Sequence, residues 1–261
     1  GTAKPTREEQ QRIRHHLIDV AWPDEEFHAA RFVSLAEEAI SDICQRNRFP
    51  FLVGGTGLYI RALTEGLLDA PGADSELRRD LHTRAEKEGS ASLHEELARV
   101  DPVSADRLHP NDLIRIVRAL EVYEQSGRTL SALQDEHGFS SKPYRTLKIG
   151  LSLERDELYR RIDQRTEVMF DQGLLAEAEA LLQAGYDPDL KILRTIGYKQ
   201  AFALLHEKMT REEAIDDLKR STRRYAKQQL TWFRKDKSII WLESSGDFVT
   251  IRKLIEEFYD I

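Results

Sequence analysis

The chain has 261 residues, 40% apolar and 33% charged, and its 46 acidic against 39 basic side chains leave a formal charge of −7. One large domain or two small ones fits that length, and so apolar a composition excludes intrinsic disorder as the whole description. The single cysteine, Cys44, excludes a disulfide-stapled secreted module, and no apolar run nears the ~20 residues that cross a bilayer, so a cytoplasmic protein with no membrane partner is expected.

The first fifteen residues are polar and read as irregular, with no hydrophobic strand ahead of them. Over 25–47, Phe27, Val33, Ala36, Ile40 and Ile43 recur at helical spacing, which places Cys44 on the presumed buried face. The apolar run Phe49-Pro-Phe-Leu-Val53, the turn Gly54-Gly-Thr-Gly57 and the segment 58–63 predict strand, tight turn and helix, the order found in a parallel α/β sheet. A Gly, Pro and Asp stretch at 65–74 marks a domain edge. Helices are then expected over 75–88, 93–100, 102–108 and 112–125, the last capped by Asn111 or Asp112. After Gly127 and 137–143, the alternation of Leu147, Ile149 and Leu151 with Lys148 and Gly150 predicts a strand. Helices follow over 154–170, 174–182, 193–205 and 211–234, then a strand at 238–242 and a helix at 249–259. The fold class is α/β, a parallel-sheet domain (1–64 and 144–261) interrupted by an all-helical insertion (65–143).

Several stretches could carry chemistry. Gly54-Gly-Thr-Gly57 permits close backbone approach, and the helix behind it offers free N–H groups to an anion, but the same four residues also suit a plain tight turn. They match neither a Walker motif nor a dinucleotide fingerprint. Residues 219–237 hold eight Lys or Arg against Asp236 alone, +7 in a chain of −7. Such a helix either binds diphosphate or RNA backbone, or is a solvated face paired with Glu212, Glu213, Asp216 and Asp217. In Arg194-Thr-Ile-Gly-Tyr-Lys199 a glycine inside a helical run costs about 1 kcal/mol relative to alanine, which points to close packing or to a partner's approach. Arg115 and Arg118 read as surface charges taken alone, and His15-His16 as structural or capping residues, since adjacent side chains rarely converge on one metal ion.

Taken in order, Gly1-Thr-Ala-Lys-Pro-Thr6, His15-His-Leu-Ile-Asp19, Leu52-Val-Gly-Gly-Thr-Gly-Leu-Tyr59, His109-Pro-Asn-Asp112 with Arg115, Arg118 and Glu121, Arg194-Thr-Ile-Gly-Tyr-Lys-Gln200 and Thr222-Arg-Arg-Tyr-Ala-Lys-Gln-Gln-Leu-Thr-Trp232 resemble the tRNA dimethylallyltransferase, or isopentenyltransferase, family of bacterial type. The resemblance implies a P-loop-like sheet domain, a helical insertion that embraces the tRNA anticodon stem-loop, and transfer of a dimethylallyl group from dimethylallyl diphosphate to N6 of adenosine 37 with Mg2+ as cofactor. It implies roles for Thr56 in orienting the flipped adenine and for Arg194, Arg223 and Lys227 in clamping phosphate. Arg78, Asn111, Ile114, Arg115 and Arg118, with Thr195, Gly197, Tyr198 and Lys199, are implied to contact substrate or tRNA. The family's last motif is commonly TRQxAKRQ; here Arg224 replaces the Gln and Gln228 the second basic residue, so charge moves around the helix. In the family pattern a Walker-like loop and a general-base Asp precede the first of these motifs, so residues 1–261 alone are expected to be inactive. A monomer is expected. The alternatives are a P-loop nucleotide kinase and a non-catalytic RNA-binding protein.

Overall fold

The computed structural model describes residues 4–138, 143–243 and 247–260. The chain divides into two compact units, Gly1–Ile60 with Thr146–Ile261, and Arg61–Arg145. Among the described residues the structure is mostly helical, with one small parallel sheet.

The discontinuous unit opens with α1 (Arg7–Arg12), started by a capping box in which Thr6 accepts from the Glu9 N–H and the Glu9 carboxylate accepts from the Thr6 N–H. Helix α2 (Ala29–Gln45) follows, and Phe32 stacks on Tyr59 of α3 (Gly57–Glu65) with ring centroids 4.8 Å apart. Three expectations fail in this region, the first being that the opening fifteen residues are irregular: the Thr6–Glu9 box starts α1 there. Residues 49–53 are not a strand: among the described residues no strand lies beside them to take their backbone groups, and Phe51 and Val53 are 64% and 89% exposed. Cys44 is exposed, because α2 buries only Ala36 fully and turns the cysteine aside.

The continuous unit holds α4 (Ser75–Glu88), α5 (Ser90–Val100), α6 (Pro102–Arg107), α7 (Leu113–Ser126) and α8 (Leu130–His137). Leu81, Leu93, Leu97, Ile116 and Leu120, each at most 1% exposed, form its core. Asp101 caps α6 and ties it to α8: its buried carboxylate accepts from the N–H and hydroxyl of both Ser104 and Ser131, at 2.6–3.0 Å. Burial pushes its pKa up, but those four donors outweigh burial and hold it below the ordinary carboxylate value. Asp112 occupies the N-cap position of α7 but makes no side-chain cap bond; its carboxylate accepts from Arg115 at 2.6 Å instead, and Asn111 is exposed.

The sheet belongs to the first unit. Strand β1 (Ile149–Ser152) runs parallel to β2 (Ile240–Glu243), Ile149 opposite Ile240 and Gly150 opposite Trp241. Between them lie α9 (Arg155–Asp171), α10 (Leu174–Gln183), α11 (Tyr198–Leu205) and α12 (Arg211–Phe233), whose core is Phe170, Leu174, Leu193, Phe202 and Leu218; α13 (Phe248–Tyr259) comes last. Helix α11 starts five residues later than periodicity suggests. Gly197 is its N-cap at φ 104°, a left-handed conformation that favours glycine, so this residue initiates the helix rather than interrupting it. Helices α9 and α12 are bridged by ion pairs: Asp163 with Arg223, Glu167 with Lys219 at 2.7 Å, and Asp171 with Arg211 at 2.9 Å.

Candidate active site on the glycine turn and helix α12

Thr56 sits exposed at the turn before α3, and its carbonyl accepts from the Tyr59 and Ile60 N–H groups at 3.0 and 3.2 Å. Two side chains of α12 press on this turn. Gln229 donates its amide to the Gly55 carbonyl at 3.0 Å, and a Cβ at Gly55 would lie 2.0 Å from that same nitrogen. A Cβ at Gly57 would meet the Trp232 indole at 2.1 Å. These two glycines are there for close approach, whereas Gly54 has open space around it. The turn carrying Thr56 is thus seated on the C-terminal half of the basic helix.

The cations of that helix fall into two groups. Lys219, Arg220 and Arg223 bond to Glu167, Asp217 and Asp163. The expected partners near the start of α12 thus account for Arg220 alone, and α9 supplies the other two. Arg224, Lys227 and Lys235 have no ion-pair partner among the described residues and, with Gln228, Thr231 and Trp232, line a groove of about 260 Å³. Arg223 is half-buried beside it in sequence, its guanidinium 5.1 Å from the Tyr159 ring centroid. The Arg223 Nε and the Oδ1 of its partner Asp163 are both buried without a hydrogen bond among the described residues, while the Arg223 side chain is 36% exposed.

Other residues singled out by sequence are not among those that line this groove. Arg194 is exposed and bonds Asp189 at 2.9 Å rather than any residue of the turn. Thr195 donates to the Ile192 carbonyl at 2.6 Å, Lys199 is exposed, and Tyr198 donates to Glu177 at 2.6 Å. Burial, then the Glu177 contact, pushes the Tyr198 phenol well up. Lys4 and Asp19, from two of the quoted motifs, bond to each other, and the hydrogen bond raises the lysine pKa and lowers that of the aspartate. In the continuous unit, Ile114 and Arg115 are exposed while Arg78 and Arg118 both bond to buried Glu121. Sequence reasoning missed Asp163, Tyr159, Gln229 and Trp232 as parts of this site. The places of Gln229 and Trp232 within the last quoted motif were the available signals.

Among the described residues no group of three or more His, Cys, Asp or Glu could hold a metal ion, and cations line the groove. The described residues therefore do not form a protein cage for Mg2+. No helix of the described residues is long and apolar enough to cross a membrane.

The glycine turn packs on the basic helix, and the helix lines a groove with three cations that have no ion-pair partner among the described residues. A family model described as IPP transferase matches residues 1–236. The chain is 53% identical over 259 residues to tRNA dimethylallyltransferase 2 of Geotalea uraniireducens strain Rf4, covering 99% of this chain and 84% of that protein. It is 50% identical to tRNA dimethylallyltransferase of Geobacter metallireducens, again over 99% and 84%. Among solved structures it is similar to a full-length tRNA isopentenylpyrophosphate transferase from Bacillus halodurans, with TM-score 0.64, 39% identity and coverage of 99% and 80%. A eukaryotic dimethylallyltransferase acting on tRNA matches at TM-score 0.80 and 28% identity, over 98% of this chain and 67% of that one. The chain belongs to the IPP transferase family. Matches over nearly the whole chain lend no support to the expectation that residues 1–261 are inactive.

Proposed function

We propose that the protein is a tRNA dimethylallyltransferase, which transfers a dimethylallyl group from dimethylallyl diphosphate to N6 of adenosine 37 in the anticodon loop and releases diphosphate, a reaction for the cytoplasm. The likeness over 99% of this chain to proteins of that name carries this reading. The adenine amine is a weak nucleophile because its lone pair is delocalised into the ring, so bond formation depends on stabilising the diphosphate as it leaves. Arg223, 36% exposed beside Asp163, and Lys227, which lines the groove without an ion-pair partner among the described residues, are suited to that charge. Thr56, between Gly55 and Gly57, which Gln229 and Trp232 of α12 abut, orients the flipped adenine beside the donor. Mg2+ bound together with the donor would supply further neutralisation of the leaving diphosphate. Arg194 and Lys199, both exposed, together with Arg78, Ile114 and Arg115, contact the RNA.

The test is Arg223→Ala, with donor affinity and single-turnover rate measured separately. The rate at saturating donor should fall about 10- to 100-fold, the scale of one charge-assisted contact to a developing anion. An unchanged rate would remove Arg223 from the transition state.

A further inference from the structure

Glu121 lies in α7 with none of its side chain exposed, yet it is surrounded by donors. Arg78 gives it two parallel bonds, Nε to Oε1 at 2.8 Å and Nη2 to Oε2 at 2.9 Å. Arg118 donates Nη1 to Oε2 at 2.6 Å, and the Asp74 N–H reaches Oε1 at 2.8 Å. Burial pushes the carboxyl pKa up, and the two guanidinium groups with the Asp74 N–H more than offset that, so it stays ionised. One anion against two cations leaves the cluster with a net positive charge.

The two arginines are not equivalent. Arg118 also donates Nη2 to the Pro71 carbonyl at 2.7 Å, which makes it a brace between α7 and the chain before α4. Arg78 is 40% exposed and uses only Nε and Nη2 on Glu121, so Nη1 has no protein partner among the described residues. A guanidinium gripped along one edge keeps a fixed plane and offers what remains to a ligand oxygen.

We infer that Glu121 is a positioning residue for RNA recognition, gripping one edge of Arg78 so that the free Nη1 meets a phosphodiester oxygen of the tRNA. The inference rests on Arg78 contacting RNA, as proposed above. It adds the buried carboxylate that sets where that contact is made.

A double-mutant cycle on the whole chain tests it, with an anticodon stem-loop RNA as probe and affinity measured across a salt series. Arg78→Ala should weaken binding about tenfold and make the salt slope shallower by about 1. Glu121→Gln should also weaken binding about tenfold, and the double variant should stay within about twofold of Arg78→Ala alone, because both changes remove the same contact. Single-turnover rates at saturating RNA should stay within about twofold of the parent, a split that a loss of fold would not give. Glu121→Asp, which keeps the charge but shortens the reach, takes the same place in the cycle if Glu121→Gln does not fold. Losses that multiply to about a hundredfold, or Glu121→Gln binding at parent affinity while Arg78→Ala is weak, would overturn the inference and leave the RNA contact standing. Parent affinity in Arg78→Ala would remove both.

Discussion

A methyl group added at Gly57 would run into the rigid indole of Trp232, while one at Gly55 would meet only the far end of the flexible Gln229 side chain. Gly57→Ala should therefore cost about 1–3 kcal/mol, the usual range for overpacking, and Gly55→Ala clearly less. Urea denaturation of the two variants checks this, and equal losses would contradict the steric ranking. Asp236 gives a pH prediction. Burial raises its pKa, but Lys148 at 2.8 Å and the Ser238 donors bring it down to about 2. A carboxylate depressed in the folded state stabilises above its unfolded pKa and loses that contribution as pH falls through the folded one. The parent should thus lose on the order of 2 kcal/mol between about pH 4 and pH 2 that Asp236→Asn does not lose. Parallel acid-denaturation curves for the two proteins would refute it. The glycines of the turn were legible in the sequence, but what fills the space beside them was not, since Gln229 lies 174 positions from Gly55. Glu121 was hidden for the same reason: it is 43 residues from Arg78 and reads as one more charge on a helix.

At the scale of elements, the α9–α12 pair has both a core and an ion-pair ladder, and magnitudes decide which holds it. Leu218 is 1% exposed, whereas the Glu167 side chain is 60% exposed where it meets Lys219. Leu218→Ala should cost about 2–5 kcal/mol and Glu167→Ala under about 1. Thermal or chemical unfolding measures both, and a larger cost for Glu167 would mean the ladder carries the packing. Most helices were readable because apolar spacing is local, and the errors have local or long-range causes. The Thr6 and Glu9 box that starts α1 is a sequence signal that the polar composition obscured. The run at 49–53 has strand-forming residues, but pairing belongs to the partner strand as much as to the segment, and only β1 and β2 pair among the described residues.

The whole molecule combines two self-contained cores with uneven charge. Every core residue of the helical insertion lies within Arg61–Arg145, so that segment expressed alone should keep its helical circular dichroism and melt cooperatively; a featureless melt would show that its core depends on the rest of the chain. The overall charge of −7 hides a nineteen-residue segment of +7, in which Arg224, Lys227 and Lys235 have no ion-pair partner among the described residues and line the groove that would take an anion. The direct test is chemical. The chain, dimethylallyl diphosphate and an unmodified tRNA are incubated together, and the digested nucleosides are analysed by mass spectrometry alongside released diphosphate. One five-carbon prenyl group on adenosine 37 for each diphosphate freed is the predicted result. Bound tRNA recovered without any mass change would contradict it, as would phosphate transferred from ATP in place of the prenyl group.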